Sequence, residues 1–377
     1  MRFVFYTHSL VSDWNHGNAH FLRGVLRELI ATGHDAIALE PAGSWSRTNL
    51  VASQGKAAEQ RFSDDFPGLV SLTYGDDFDH EAALADADVV VVHEWTDPEL
   101  AARIGRIRRQ GGGRFKLLFH DTHHRAVSAN AEIAAFDLSD YDLVLAFGEA
   151  LRQEYLRAGW GRQVVTWHEA ADTALFRPRP EIERRGDLVW IGNWGDGERT
   201  QEITRFLIDP ARNLGLNARI HGVRYPQTAL DALEAAGISY GGWVANADVP
   251  QVFASYRTTV HIPRRPYIES LPGIPTIRVF EALACGIPLV SAPWDDAEHL
   301  FRPGTDYLVA RDGKEMEAHL TMLLNEPRAA TQVAEAGLAT VLARHTCRHR
   351  VEELLTHLAA LGPATDQPQP TKREAAE

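Results

Sequence analysis

The feature that most constrains this chain is a series of short apolar runs, continuous rather than alternating, that recur between stretches of helical period. In the first half they fall at residues 3–6, 36–39, 69–72, 89–92, 117–119, 143–147 and 164–167. A strand that is apolar on both sides must be covered on both sides, as happens when helices cross over a parallel sheet. The first intervening stretch has the helical period: Phe21, Leu22, Val25, Leu26, Leu29 and Ile30 share a face, and Gly33 fits the left-handed stop. Residues 1–176 thus read as one doubly wound parallel sheet.

At residues 177–186 the sequence RPRPEIERRG interrupts this pattern with two prolines, clustered charge and a glycine, which suits a linker. The runs then resume at 188–191, 218–221, 259–262, 289–291 and 307–309, so 187–346 reads as a second domain of the same kind. A helix is expected at 347–361. The tail 362–377 has no aromatic residue and is expected to be disordered.

A length of 377 residues is too long for one ordinary core and suits two. The net charge of −13 argues against a broad grip on nucleic-acid phosphates or anionic lipid, so any phosphate site must be focused. Cys285 and Cys347 are too few for a disulfide framework or a thiolate zinc site and read as packing residues. No apolar stretch reaches the roughly 20 residues of a membrane span, and the opening MRFVFYTHS lacks a signal-peptide pattern, so a cytoplasmic location is expected.

Residues 274–293, IPTIRVFEALACGIPLVSAP, carry the best chemical signal. Pro275 suits the first position of a helix starting near Thr276, and Gly286 suits its end. Ile277, Phe280 and Ala284 then share an apolar face, while Arg278 and Glu281 project together at a spacing of three. A helix start stabilises an anion by about 0.3–1 kcal/mol, rising to about 2 in favourable cases, too little to hold and activate a diphosphate unaided. Arg278, Arg264 or Arg265, and Arg199 are candidates to supply the missing positive charge. Arg278 and Glu281 also suit a plain helical ion pair, and the adjacent Arg264 and Arg265 suit a solvated surface.

This segment resembles the donor-site helix of group 1 glycosyltransferases of the GT-B type, and especially their CgeB-like, spore-maturation-type branch. GDLVWIGNWGDGERTQEI at 186–203 resembles the first strand and glycine loop of that family's donor domain, and DTALFRP at 172–178 resembles the stretch ending its first domain. FRPGTDYLVARDGKEMEAHL at 301–320 and HTCRHRVEELL at 345–355 resemble its C-terminal helices. The resemblance implies an α/β fold of GT-B architecture, two Rossmann-like domains with an interdomain cleft, acting without a metal or cofactor on a nucleoside diphosphate sugar.

By the same resemblance, Glu281 accepts hydrogen bonds from the donor ribose, and the backbone of Ile274, Thr276 and Ile277 approaches the sugar and phosphates. Arg199, with the loop opening on Gly192 and Asn193, approaches the diphosphate. Gly17 lets the opposing loop come close, with Asn18 beside it; Asn18 also suits a helix cap. His120, in FHDTHHR after a strand, answers to a histidine near the donor sugar. Many retaining members carry a second glutamate eight positions before Glu281; here that position is Gly273, and Glu269 reads as a surface residue. Retention is thus one expectation among two.

Trp14, Trp45, Trp95 and Trp194 fall near loops where an indole can stack on a sugar or base, although most tryptophans are structural. DDFD at 76–79 reads as an acidic loop. The acceptor, the donor base and the oligomeric state are not specified. Two further readings share the fold: a nucleotide-sugar epimerase or hydrolase, and a non-catalytic protein of a surface assembly.

Overall fold

A computed structural model describes residues 1–111, 114–195 and 197–362, so from residue 363 onward the tail expected to be disordered lies outside the described residues. Seven parallel strands form the first sheet: β1 (Arg2–Tyr6), β2 (Asp35–Pro41), β3 (Val70–Tyr74), β4 (Val89–His93), β5 (Lys116–Asp121), β6 (Leu143–Ala146) and β7 (Val164–Thr166). Their order is β3, β2, β1, β4, β5, β6, β7. The second sheet has six: β8 (Gly186–Ile191), β9 (Ala218–His221), β10 (Ser239–Tyr240), β11 (Tyr256–His261), β12 (Leu289–Ser291) and β13 (Leu308–Val309). It runs β10, β9, β8, β11, β12, β13, also parallel.

Every strand anticipated from the apolar runs is present. β10 was not anticipated, because its two residues are exposed and no apolar run marks them. β4 shows why the runs are continuous: Val89 and Val91 join one apolar cluster while Val90 and Val92 join another, one on each side of the sheet. Each such buried side chain contributes roughly 1.5–3 kcal/mol.

In each sheet the chain order reverses beside the first strand, β1 between β2 and β4, and β8 between β9 and β11. Loops leaving the carboxyl ends of strands at such a switch form a crevice. The two crevices face one another: Asn193 after β8 bonds Asn15 after β1, and the Asn246 amide donates to Asp13 Oδ2 at 3.1 Å.

The helix Cys347–Ala360 crosses back from the second domain to pack against Ala19–Ala31 of the first. Three bonds hold the crossing: Trp167 Nε1 donates to the Arg350 carbonyl at 2.9 Å, Cys347 N to the Ala171 carbonyl at 2.9 Å, and Ala171 N to the His345 carbonyl at 2.9 Å. Gly24 makes the contact close, since a Cβ there would stand 2.4 Å from Cys347 Sγ and 2.8 Å from Asp172 Cβ. Gly→Ala in an exposed helix ordinarily stabilises, but overpacking costs about 1–3 kcal/mol. Gly24→Ala is therefore expected to lower the thermal unfolding midpoint; a midpoint equal to or above that of the parent would contradict this packing.

Candidate active site

The segment singled out in the sequence forms the helix Ile277–Ala284, capped by Thr276 with extended backbone (φ −78°, ψ 158°). Pro275 consequently lies before the cap and not at the first helical position. The chain reaches the helix through Gly273 at φ 88° and then the extended Thr276, which delays the first turn. Among the described residues no side chain bonds the first-turn amides and no acidic residue sits there, so the positive end of the helix meets no side-chain acceptor. Behind the cap, Thr276 Oγ1 lies 3.4 Å from His261 Nε2, and His261 Nδ1 lies 2.9 Å from Ser291 Oγ.

Glu281 is fully buried. Its Oε1 accepts from His20 Nδ1 at 2.9 Å, and its Oε2 accepts from Arg278 one turn away. His20 Nε2 in turn accepts from the Asp172 amide at 2.9 Å, which fixes the tautomer with the proton on Nδ1. Burial alone would raise the Glu281 carboxyl; the Arg278 charge and the bonds from His20 and Arg278 outweigh it and hold the group below the usual carboxylate range. The Arg278–Glu281 pair is present, and the Glu281 carboxylate also bridges the two domains, because His20 belongs to the first.

Arg199 is buried, and its NH1 and NH2 groups donate to the carbonyls of Ile262 and Asn193, both at 2.6 Å. Burial first, then the charge of Arg264, pushes it down to about 10. It fastens the loop after β8 to the loop after β11. Arg264 Nε donates to Glu198 at 2.6 Å, and Arg265 pairs with Glu202 at 3.1 Å. Gly192 lies against the Trp190 indole, where a Cβ would come within 2.6 Å. Asn193 accepts from the Val223 amide at 2.8 Å. Ile274 is buried, and a Cβ at Gly148 of the first domain would strike its Cγ1 at 2.3 Å.

On the opposite wall, Gly17 faces the helix Ile277–Ala284: a Cβ there would stand 3.2 Å from Ile277 Cγ2. Asn18 occupies the cap position of Ala19–Ala31, yet its side chain makes no capping bond and donates to Thr122 Oγ1 instead. His120, the last residue but one of β5, is fully buried against Phe21 and Trp167, with ring centroids at 6.0 and 4.8 Å, and burial drives it well below the usual imidazole range. It is therefore neutral and one layer under the crevice. Glu269, in contrast, is exposed and 3.9 Å from Arg265.

Sequence reading missed three residues here, His20, Glu298 and Glu94, and had marked Asp121 only as part of FHDTHHR at a strand end. His20 carried no signal beyond its place in the first turn of an apolar helix. Glu298 accepts from the Glu149 amide at 2.8 Å and contacts His168 Nε2 at 2.7 Å, tying the second domain to the first. Glu94 and Asp121, at the ends of β4 and β5, are fully buried. Glu94 accepts from Thr122 Oγ1 at 3.1 Å, and Asp121 from Tyr155 Oη at 2.7 Å and the His123 amide at 2.9 Å. Burial pushes both up to about 7, helped for Asp121 by the charge of Glu94.

The second domain matches a family described as glycosyl transferase-like over residues 199–356. By structure the chain is similar to HepE of Anabaena, solved with UDP and glucose, at a TM-score of 0.66 and 15% identity, covering 96% of this chain and 100% of that one. It is similar to sucrose-phosphate synthase of Thermosynechococcus elongatus at 0.65 and 12%, covering 96% and 99%. It is also similar to a glycosyltransferase of Rickettsia africae at 0.64 and 11%, covering 96% and 98%. No curated protein sequence matches the chain. Two parallel-sheet domains meeting along this crevice give the chain the GT-B fold of these glycosyltransferase structures, and its second domain carries the glycosyl transferase-like match.

The Glu94 and Asp121 carboxyls have a measurable consequence. Unfolded, they release their protons near 4.5 and 3.8; folded, they hold them to about 7. A raised folded value means that the associated stability is complete at acid pH and is lost as pH climbs through that window. Glu94→Gln is expected to flatten the fall of the melting midpoint between pH 4.5 and 7 relative to the parent. Parallel pH profiles for the two proteins would show that Glu94 ionises normally.

Proposed function

We propose that the chain transfers a glycosyl group from a nucleoside diphosphate sugar, UDP-linked in the first instance, to an acceptor hydroxyl. The observation that carries this is the start of Ile277–Ala284, which lies against Gly17 of the first domain and, among the described residues, has no side chain bonded to its first-turn amides, with the Glu281 carboxylate fixed one turn further in. HepE, of the same fold, is solved with UDP and with UDP-glucose, which supports uridine as the base.

In this reading the ribose hydroxyls reach Glu281 where the His20 contact across the domains parts, since the carboxylate has no exposed surface while that contact holds. The helix start and Arg278 meet the diphosphate. As the acceptor oxygen bonds to the anomeric carbon, the bond from that carbon to the diphosphate oxygen breaks. The electron pair leaves with the diphosphate, and the acceptor loses its proton to solvent or a nearby base. Fixed positive dipoles at the helix start stabilise the charge that grows on the leaving oxygen. Arg199 acts by holding the two loops that face the diphosphate. His120, neutral and covered, supports the wall on which the sugar rests.

Gly273 bears no carboxylate and stands at φ 88°, where a side chain is strained, so the second glutamate of many retaining relatives has no counterpart at this position. Metal-independent transfer accords with a leaving group met by a helix start and arginine. The resemblance of residues 274–293 to CgeB-like proteins supports placing the chain in that branch. Among the described residues no helix is long and apolar enough to cross a membrane, and a cytoplasmic setting suits an enzyme fed by nucleotide sugars.

Screening UDP-, GDP-, dTDP- and CDP-sugars by thermal shift tests the donor. One is expected to raise the melting midpoint, since binding to the native state stabilises it by mass action. No response to any of them would refute the proposal. Losing a charge-assisted hydrogen bond costs about 1.5–3 kcal/mol, so Glu281→Gln should weaken nucleotide affinity on the order of tenfold to a hundredfold. Gln keeps an acceptor for His20, so the variant should remain folded. Undiminished affinity in a folded variant would remove Glu281 from the ribose. Free sugar or an epimer formed from donor alone, at the rate seen with acceptors, would favour a hydrolase or epimerase.

A further inference from the structure

The loops after β1, β4 and β5 hold an aromatic ledge that no donor role accounts for. These strands are neighbours, so their carboxyl ends lie side by side. Trp95 follows β4 and is 40% exposed, between the buried Glu94 and Thr96. The Arg125 guanidinium lies over its ring, 4.0 Å from the centroid. His8 and His123 stand against it at 5.9 and 5.2 Å, inclined by 51° and 69°.

The ledge continues in both directions. His123 contacts His124 at 4.0 Å, and His124 reaches Tyr267 of the second domain at 5.5 Å, so one end meets the donor side of the crevice. At the other end Trp45, 46% exposed, packs edge-on against Trp14 at 5.1 Å. Ser46 joins the two parts: its amide donates to His8 Nε2 at 3.3 Å and its hydroxyl to the Trp14 carbonyl at 2.7 Å.

Buried polar atoms border these exposed indoles. Thr96 Oγ1, His16 Nε2 and His123 Nδ1 have no protein partner, and an unpartnered buried polar group costs about 1–3 kcal/mol. Burial lowers His8 to about 4 and His123 well below the ordinary value, so both are neutral near pH 7; His8, whose Nε2 already accepts from Ser46, offers its Nδ1 proton, and His123 offers one donor and one acceptor. An apolar face edged by neutral hydrogen-bonding groups matches a pyranose, which has a C–H face and a rim of hydroxyls. A lipid chain or aromatic acceptor would leave the polar rim unpaired. A polyanion would meet a chain of net charge −13, and the cation at hand, Arg125, is already bonded to the Glu94 carbonyl and to Glu132.

We propose that Trp95, flanked by His8 and His123, binds the terminal ring of a saccharide acceptor, with further sugar units running toward Trp14 and Trp45. Only the word acceptor rests on the glycosyl-transfer reading; the saccharide site stands on the ledge itself. Trp95 makes the apolar contact, and His8 and His123 meet hydroxyls at the ring edge.

Saturation-transfer NMR tests this with glucose, galactose, mannose, N-acetylglucosamine, maltose, cellobiose and chitobiose as probes, and with UDP in parallel. At least one saccharide is expected to receive saturation on its ring protons. In Trp95→Ala that signal should fall at least tenfold, in Trp95→Phe most of it should persist, and UDP should be unaffected in both. Glu281→Gln should reverse the pattern, losing UDP and keeping saccharide. Circular dichroism checks that the variants are folded. No saccharide signal from the parent, or an equal signal in a folded Trp95→Ala, overturns the proposal. A saccharide signal without a UDP signal sustains it while sinking the donor reading; UDP without saccharide does the reverse.

Discussion

A carboxylate with no exposure to water has to be paired, and the arrangement of this molecule follows from how Glu281 is paired. One partner, Arg278, comes from its own helix; the other, His20, comes from the first helix of the other domain. His20 is itself fixed on three sides, by Glu281, by the Asp172 amide and by the Phe176 ring stacked at 3.9 Å. Asp172 and Phe176 belong to the stretch that leaves the first domain. The helix Ile277–Ala284, the first helix and the stretch of chain between the domains therefore converge on one charge. Displacing either domain would expose or orphan that charge, so the closed arrangement and the ionised state of Glu281 support one another.

Close approach of backbone maintains the same seam. Gly17 abuts Ile277, Gly148 abuts Ile274, and Gly24 abuts Cys347, each at a distance that leaves no room for a side chain or very little. At Gly148 the effect is twofold. The residue caps Glu149–Ala158 without a side chain of its own, and Glu298 from the second domain supplies the oxygen that accepts from the Glu149 amide. A carboxylate at a helix start gains from the dipole as well as the bond. The second domain thus contributes two carboxylates to the seam: Glu281 is held by the first domain's histidine, and Glu298 holds the first domain's helix.

Much of this was legible in the sequence, because strands covered on both faces leave a continuous apolar signature. Val89 to Val92 is the plainest case, and residues 274–293 announced both the helix and its glycine stop. Boundaries governed by local chemistry slipped slightly, as when Pro275 proved to precede the cap. What the sequence hid were contacts between residues far apart in the chain. His20 and Glu281 are separated by 261 positions, and Glu298 and His168 by 130, with no periodicity to link either pair. The crossing of Cys347–Ala360 to the first domain was likewise invisible, since amphipathic pattern tells that a face is buried and not against what.

The first domain's candidate residues illustrate a different limit. His120 was chosen for its place at the end of a strand, but side chains alternate across a sheet, and one position decides whether a group lines the crevice or lies beneath it. His120 went under Trp167, and the neighbours that reach the surface are Trp95 and His123. The ends of β1, β4 and β5 carry many buried polar atoms without partners, among them Thr7, His16, Thr96, His123 and His124. A region that only had to be stable would fill these positions with apolar side chains or complete the bonds. Unmet hydrogen-bonding capacity concentrated at a switch point, beside two partly exposed indoles, departs from the local rules that the rest of the chain obeys. Such departures are expected where a surface is shaped for a ligand rather than for its own packing.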